Sequence, residues 1–536
     1  MSDSHFFDRA TTLLFATAFA AGACACTTTE NSENPADPGD PYMGEPVPDG
    51  GPGEGDGDGT GDGDGTTPPA PASFTATLVP NGVTGVQRVN FAIPFAAGAI
   101  TDPAQIKITA GTTDLPAARR ALATYGDGSL MSVQVQVDVD VTTNPTLTVD
   151  VGVAGATGLT MAAVETTTTG SGNAIRPKVW VRLPASLLAA STVFGPVIPQ
   201  AEVAGTPLDA WASICNYSQW NTSAFLAGSA DREVWLFDRA TSMYRGYAIT
   251  GDLSPLESAY REASLYRAGM TISNGMTTNI AVPTAQTDLK YHYSQGMALH
   301  YLLTGDDRFR EAAEAISARV AGMFNPSYNG ADQFWTERHA GFALLAHEWA
   351  ARVTDDKAAA IGARADTAVT AYLATQVAQR YGQSTDTSAR CFAHTAGAHG
   401  ESYGNAGCSP WMSAILADAL DAHARRVGGA RATEVRASLG RLGKIIARDG
   451  RDSTGRPLYW MGVGAAGDVA DDFDEHWGES AYVVALAWAS TGKTDAALRT
   501  AADQLVAGLK SRGEVGRVRS FNWQCRSSVM TPALLR

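Results

Sequence analysis

Residues 300–309 read HYLLTGDDRF, the end of one helix and the start of the next. An apolar helical run ends at Thr-Gly; glycine closes a helix by entering the left-handed conformation, and the aspartate after it can cap the next helix. The same pattern recurs as YRGYAITGD at 244–252, HEWAARVTDD at 347–356, DAHARRVGG at 421–429 and LAWASTGKTD at 486–495. Successive turns lie roughly 50 to 75 residues apart, room for two helices and their connections. Five such turns, with one early repeat degenerate or merged, predict an all-α (α/α)5-6 toroid over 173–536 rather than a bundle.

Upstream the pattern changes. From Phe74 to about Thr169, short runs such as FTATLV, QRVNFAI, AQIKITA, LMSVQVQVDVDV and TLTVDVGV alternate Val, Ile and Thr with polar residues between Gly, Pro, Asn and Asp. This predicts an all-β barrel or sandwich over 73–172. Residues 27–72 are Gly, Pro, Asp, Glu and Thr with little to bury, the composition of an extended acidic linker. Its GDGDGTGDGDG run superficially suggests a calcium loop, but Thr67 stands where a bidentate Glu is wanted. Residues 1–26 read as an export signal: TTLLFATAFAAGA is too short to span a bilayer, and Ala21, Gly22 and Ala23 precede Cys24, the residue a lipoprotein peptidase would leave for lipidation. The expected location is therefore an outer-membrane or cell-surface lipoprotein, or a secreted protein, with membrane contact only through the lipid.

The net charge of −15 sits mostly in the linker, where residues 30–72 hold eleven acidic residues and no Lys or Arg. The folded part is nearly neutral and offers no basic field for nucleic acid. Beyond the signal region stand Cys215, Cys391, Cys408 and Cys525, an even number that suits two disulfides outside the cytoplasm; three pairings are open.

A polar, aromatic or His-containing cluster precedes each turn-closed helix. FDRATSMYR carries Asp238, Arg239, Tyr244 and Arg245; KYHYSQG carries Tyr291, His292 and Tyr293; WTERHAG carries Trp335, Glu337, Arg338 and His339. The Cys391–Trp411 stretch carries His394, His399, Glu401 and Trp411, and DDFDEHWGES carries Asp474, Glu475, His476, Trp477 and Glu479. If the hairpins stack equivalently, these helix starts share one rim and form a single funnel mouth. Helix N-termini favour anions, and the aromatic faces suit sugar rings. His476, bracketed by carboxylates, is the strongest candidate acid or base. Asp238 and Arg239 also read as an internal ion pair, His347 and Trp349 read as core, and His423 reads as a favourable cation late in its helix, with no function assigned. His394, His399 and Glu401 are ligand types for a divalent cation such as calcium or zinc, but their spacing fits no metal motif, so neither a metal site nor another cofactor is assigned.

Two stretches of the β segment carry a resemblance. VNFAIPFAAGAI (89–100) and LPAARRALATYGDGSL (115–130), with Pro94, Phe95 and Gly98 and then Asp127, Gly128 and Ser129, resemble the N-terminal barrel domain of the exo-rhamnogalacturonan lyase and YetA-like family. The likeness covers about a fifth of the chain. The helical part looks like the toroids shared by polysaccharide lyases and some glycoside hydrolases, a fold-level analogy. Together they imply a polysaccharide lyase cleaving a uronate-containing glycan by β-elimination. Arg239, Arg245 or Arg338 would meet the carboxylate, His292, His339 or His476 would be the base, and Tyr244, Tyr291 or Tyr293 the acid. The alternatives are a glycoside hydrolase using Glu337 with Asp474 or Glu475, and a non-catalytic surface glycan-binding protein.

Overall fold

A computed structural model describes residues 72–536 except 172–173, 328–334, 379–380, 400–405 and 464–466, and omits the side chain of His399. The export signal with Cys24 and the acidic linker lie outside the described residues, as does Glu401. No described helix is long and apolar enough to cross a membrane.

The chain begins with β-sheets and continues as helices. Strands β1 (Ser73–Pro80), β2 (Val86–Pro94), β3 (Ile106–Ala110), β4 (Thr113–Asp114), β5 (Ala117–Thr124), β6 (Leu130–Asp140), β7 (Thr146–Val151) and β8 (Val179–Arg182) form two antiparallel sheets, ordered β8-β1-β7-β3-β4 and β2-β6-β5. The last strand returns to pair Leu78 with Val181, so the sheet extends past the boundary at 172 read from the sequence; a four-residue VWVR run is too short for its period to be seen. The Asp-Gly-Ser turn and the Pro-Phe-x-x-Gly segment meet, with the Gly98 N–H donating to Ser129 Oγ at 2.8 Å.

Among the described residues eleven longer helices build the remainder. They are α1 (Arg239–Thr250), α2 (Leu253–Ala268), α3 (Ser294–Thr304), α4 (Asp307–Met323), α5 (Glu337–Val353), α6 (Ala358–Val377), α7 (Pro410–Val427), α8 (Gly429–Asp449), α9 (Trp477–Ser490), α10 (Ala496–Arg512) and α11 (Val518–Arg526), besides shorter pieces. Gly251, Gly305, Gly428 and Gly492 take positive φ where helices end, as the repeated sentence requires. The third turn has no glycine and leaves α5 through Thr354 in extended geometry. The odd-numbered helices contact one another in the order α1, α3, α5, α7, α9, α11, and α11 returns to α1; each even-numbered helix packs on the odd one before it. The odd helices are buried all round, every residue of α3 included.

The sixth pair is made from both ends of the helical region. Helices Ala210–Ile214 and Thr222–Gly228 pack outside α11, and Trp211 donates to Ser528 Oγ at 2.8 Å. Cys215 bonds Cys525, 310 residues on, and Cys391 bonds Cys408. At the centre Arg245 forks onto Asp418 at 2.8 and 2.9 Å, and Arg526 joins the same carboxylate at 3.0 Å.

The VQVQV alternation of β6 predicts one dry and one wet face, yet Ser132, Gln134 and Gln136 are as buried as the valines between them. Ser132 and Gln134 face the C-terminal end of α3, whose last carbonyls have no partner in their own helix, while Gln136 donates to Asn90 and the Ala162 carbonyl. Ser132 donates to the Leu302 carbonyl at 2.6 Å, and Asn90 and Gln134 donate to the Thr304 carbonyl at 2.8 and 3.3 Å. Arg182 from β8 donates to the Gly251 carbonyl at the end of α1 at 2.9 Å. The β-sheets therefore cover the C-terminal ends of α1 and α3 and leave the N-terminal rim open.

Candidate functional site

That rim surrounds a cavity of about 430 Å³. Phe237 precedes α1, Lys290 and Tyr291 precede α3, Arg338 opens α5, Trp411 opens α7, and Asp471, Glu475 and His476 precede α9. All five sequence clusters thus send at least one side chain to one lining.

His476 is 2 % exposed and held among rings. Its imidazole stacks on Trp411 with centroids 4.8 Å apart and planes 9° apart, while Trp523 stands 4.8 Å and Tyr459 5.7 Å away. Its backbone N–H donates to Asp471 Oδ2 at 3.0 Å, and Nδ1 lies 3.6 Å from Glu479 Oε1. Burial raises the Asp471 carboxyl above its ordinary range, with His476 opposing.

Arg338 is 8 % exposed, and its guanidinium carbon stands 5.8 Å from the Trp411 ring centre. Its Nε has no hydrogen-bond partner, and among the described residues no carboxylate comes within ion-pair distance. Burial lowers its basicity, with the Asp288 charge opposing. Three other cations of the lining are committed: Arg517 forks onto Glu475 at 3.0 Å through both nitrogens, Lys290 pairs with Asp288 at 2.9 Å, and Arg519 pairs with Glu233, while Arg232 is exposed. Burial raises the Tyr291 phenol, so it keeps its proton at neutral pH.

The remaining candidates lie outside this lining. Arg239 is buried against Glu262 at 2.8 Å, the internal ion pair its sequence context allowed. Tyr244 bonds His300 Nδ1 at 2.7 Å, and Arg245 is locked to Asp418. Tyr293 donates to the Lys290 carbonyl at 2.5 Å, and His292 Nδ1 sits 3.1 Å from the Asp288 carbonyl. His339 lies behind Asp288, its Nε2 donating to Oδ1 at 3.1 Å and its Nδ1 accepting from Thr336 Oγ1 at 2.7 Å; burial depresses its pKa to about 4. Glu337 is sealed against His394 at 2.5 Å, and Trp335 is fully buried beside that pair. Asp474 is clamped by Arg456 at 2.9 and 2.6 Å, and Trp477 turns the other way, against Gly508. Consecutive residues of a helix diverge by about 100°, so a cluster of three or four cannot share one direction.

At the rim the chain's own polar groups take some of the helix N–H groups that the sequence suggests for an anion. Asp238 accepts from the backbone of Thr241 in α1 and Gly296 in α3, Glu337 from Ser409 before α7, and the Gln524 side chain from Gly478 in α9. Among the cations of the lining Arg338 is the buried one. For metals, the Glu314, Asp355 and Asp356 carboxylates come together among the described residues, but Arg310 and Lys357 bridge them. His394 is committed to Glu337.

Sequence reasoning missed the wall contributed by Arg517, Arg519 and Trp523, because α11 is followed by no Thr-Gly-Asp turn. The available signal was the density of Arg and Trp in RVRSFNWQCR, residues 517–526. It also missed Tyr459, which reaches the rim from a strand between helices.

No family model and no curated protein matches the chain, so the resemblance of the β segment rests on its motifs alone. Among solved structures, one described as a polysaccharide lyase is similar at a TM-score of 0.40 and 11% identity, covering 60% of this chain and 97% of that one. A glycosyl hydrolase family 88 protein from Bacteroides vulgatus is similar at a TM-score of 0.37 and 10% identity, covering 62% and 98%.

Proposed function

We propose that this chain is an exported polysaccharide lyase, an α/α toroid carrying a β-domain, that cleaves a uronate-containing glycan by β-elimination. The observation that carries the reading is Arg338: a buried guanidinium without a carboxylate partner among the described residues, facing the same cavity as an imidazole held in an aromatic box. A charge kept dry and unpaired costs several kcal/mol; a uronate carboxylate would relieve it.

In this reading Arg338 binds the carboxylate and makes the adjacent C5 proton more acidic. His476 Nε2 takes that proton, and the C5–H electron pair becomes the C4=C5 double bond. The C4–O bond breaks, and the departing oxygen takes a proton from the Tyr291 hydroxyl. Trp411, Tyr459 and Trp523 offer ring faces to the sugars. The carboxylates named for hydrolysis are all engaged, Glu337 with His394, Asp474 with Arg456 and Glu475 with Arg517. Asp471, at the lining with its carboxyl raised, is the group that keeps hydrolysis as the second reading. The lipid anchor at Cys24 belongs to the same proposal.

The test is a panel of pectic, alginate, glycosaminoglycan and neutral polysaccharides with the purified protein. Elimination yields ultraviolet-absorbing unsaturated products whose summed mass equals that of the substrate; hydrolysis adds one water per cut. Binding without turnover on every polymer would leave a glycan-binding protein and overturn the enzyme reading.

A further inference from the structure

Glu479 is a buried carboxylate that the elimination step above does not use. It lies three residues after His476 on the first turn of α9, is 3 % exposed, and has no hydrogen bond to either oxygen. Among the described residues its one ion-pair contact is His476 Nδ1 at 3.6 Å. A carboxylate without solvent or a partner is expensive to keep, and burial raises its pKa while His476 pulls it back.

The imidazole has little freedom to turn away, since Trp411 covers one face and Trp523 and Tyr459 crowd its edges. The ionisable groups around it are Glu479 on its own helix, Asp471 from the preceding loop, Tyr459 from strand Leu458–Gly462, and Arg338 from α5 beyond the Trp411 ring. Asp471 is committed to the backbone N–H, and among the described residues Glu479 alone pairs with the ring. The 3.6 Å gap is roughly 0.8 Å longer than a hydrogen bond to a charged acceptor, a distance that a Glu side chain covers by small torsional adjustment.

The geometry points to Glu479 as a positioning residue that accepts a hydrogen bond from His476 Nδ1–H, fixes that tautomer and leaves Nε2 unprotonated toward the cavity. This rests on the assignment of His476 as the base. When Nε2 takes the sugar proton, the imidazolium forms beside a carboxylate that offsets its charge.

The test begins with the resting full-length protein, with no substrate. With ¹⁵N-histidine labelling, the nine histidines give resolvable ring nitrogens, and His476 is assigned by its loss in His476→Asn. At neutral pH the expected spectrum has the proton on Nδ1 and a pyridine-like Nε2. Glu479→Gln, whose amide oxygen still accepts, keeps that tautomer; Glu479→Met shifts the population toward Nε2–H. A wild-type spectrum with the proton on Nε2 overturns the proposal, whatever the variants do, and so does an unchanged spectrum in Glu479→Met. On a substrate, Glu479→Met loses on the order of 10- to 100-fold in kcat with KM unchanged, part of what a general base supplies, and Glu479→Gln recovers some of it. Equal kcat in Glu479→Met and wild type overturns the role even where the tautomer is as expected. The expected tautomer without turnover on any glycan would sink the lyase reading and leave the dyad standing.

Discussion

Replacing Arg338 by Met separates a binding role from a structural one, because the two predict opposite signs of stability. The guanidinium is 8 % exposed and has no fixed counter-charge among the described residues. A uronate carboxylate at about 4 Å, at an effective dielectric near 20, would gain about 4 kcal/mol, or nearly three decades of affinity. Part of that gain is spent removing water from the sugar, so Arg338→Met should lower kcat/KM on an acidic glycan by two to three decades, on the order of 100- to 1000-fold. Arg338→Lys keeps the charge but loses the planar fork and should fall between them. The same Met fills the site without burying a charge, so its unfolding free energy should be equal to wild type or up to about 2 kcal/mol higher. Initial rates from product absorbance and urea midpoints give both numbers from one preparation. A Met variant that keeps its turnover and loses more than about 1 kcal/mol of stability would show that Arg338 serves the fold, and the reasoning from its unpaired charge would be wrong.

Three further outcomes concern the framework. Burial holds His292, His339 and His347 near pKa 4 and His300 near 3; with folded values below the unfolded value of about 6.5, the neutral forms stabilise the fold above that pH. Stability should fall steadily from pH 6.5 toward 4, with up to four protons taken up on unfolding, and a urea midpoint flat between pH 7 and 5 would contradict this. Asp418→Asn leaves Arg245 and Arg526 without their shared carboxylate and should cost about 3 to 5 kcal/mol in urea unfolding; a loss under 1 kcal/mol would mean the network carries little. The Cys215–Cys525 bond spans 310 residues, so Cys215→Ser with Cys525→Ser should cost at most about 5 kcal/mol. Equal melting temperatures for the double variant and wild type would show that the ring stays closed without the bond.

The helical repeat was legible because a glycine at a helix end announces itself chemically: Gly251, Gly305, Gly428 and Gly492 need positive φ, and few other residues accept it. The shared rim followed from that repeat. What did not follow was which member of each cluster faces the cavity. Amphipathic phase assigns direction only when a helix has a wet side, and α3 and α9 are buried on every side. Hence His476 reaches the lining while its neighbour Trp477 packs under α10, and Arg338 reaches it while Glu337 and His339 turn away. The disulfide pairing was likewise open, since proximity of Cys215 to Cys525 exists only once α11 returns to α1.

The two ends of the helical ring solve the same chemical problem in opposite ways, and this asymmetry explains where a site can form. Inner helices that stop together leave N–H groups at one end and carbonyls at the other, and neither set can stay dry without partners. At the carbonyl end the sheets supply donors: Asn90, Ser132 and Gln134 face α3, and Arg182 faces α1. That end is spent on packing. At the N–H end, short side chains within the ring act as acceptors, and Asp238 serves two helices at once. Capping from within needs no covering domain, so the rim stays open and its outer residues remain available. An anion entering there finds some of the helix N–H groups already bonded to side chains, and it meets Arg338, a buried cation of the lining that has no carboxylate partner among the described residues. Binding at this rim should therefore depend strongly on Arg338, and a variant that removes it should lose selectivity for acidic over neutral glycans while the ring beneath is unchanged.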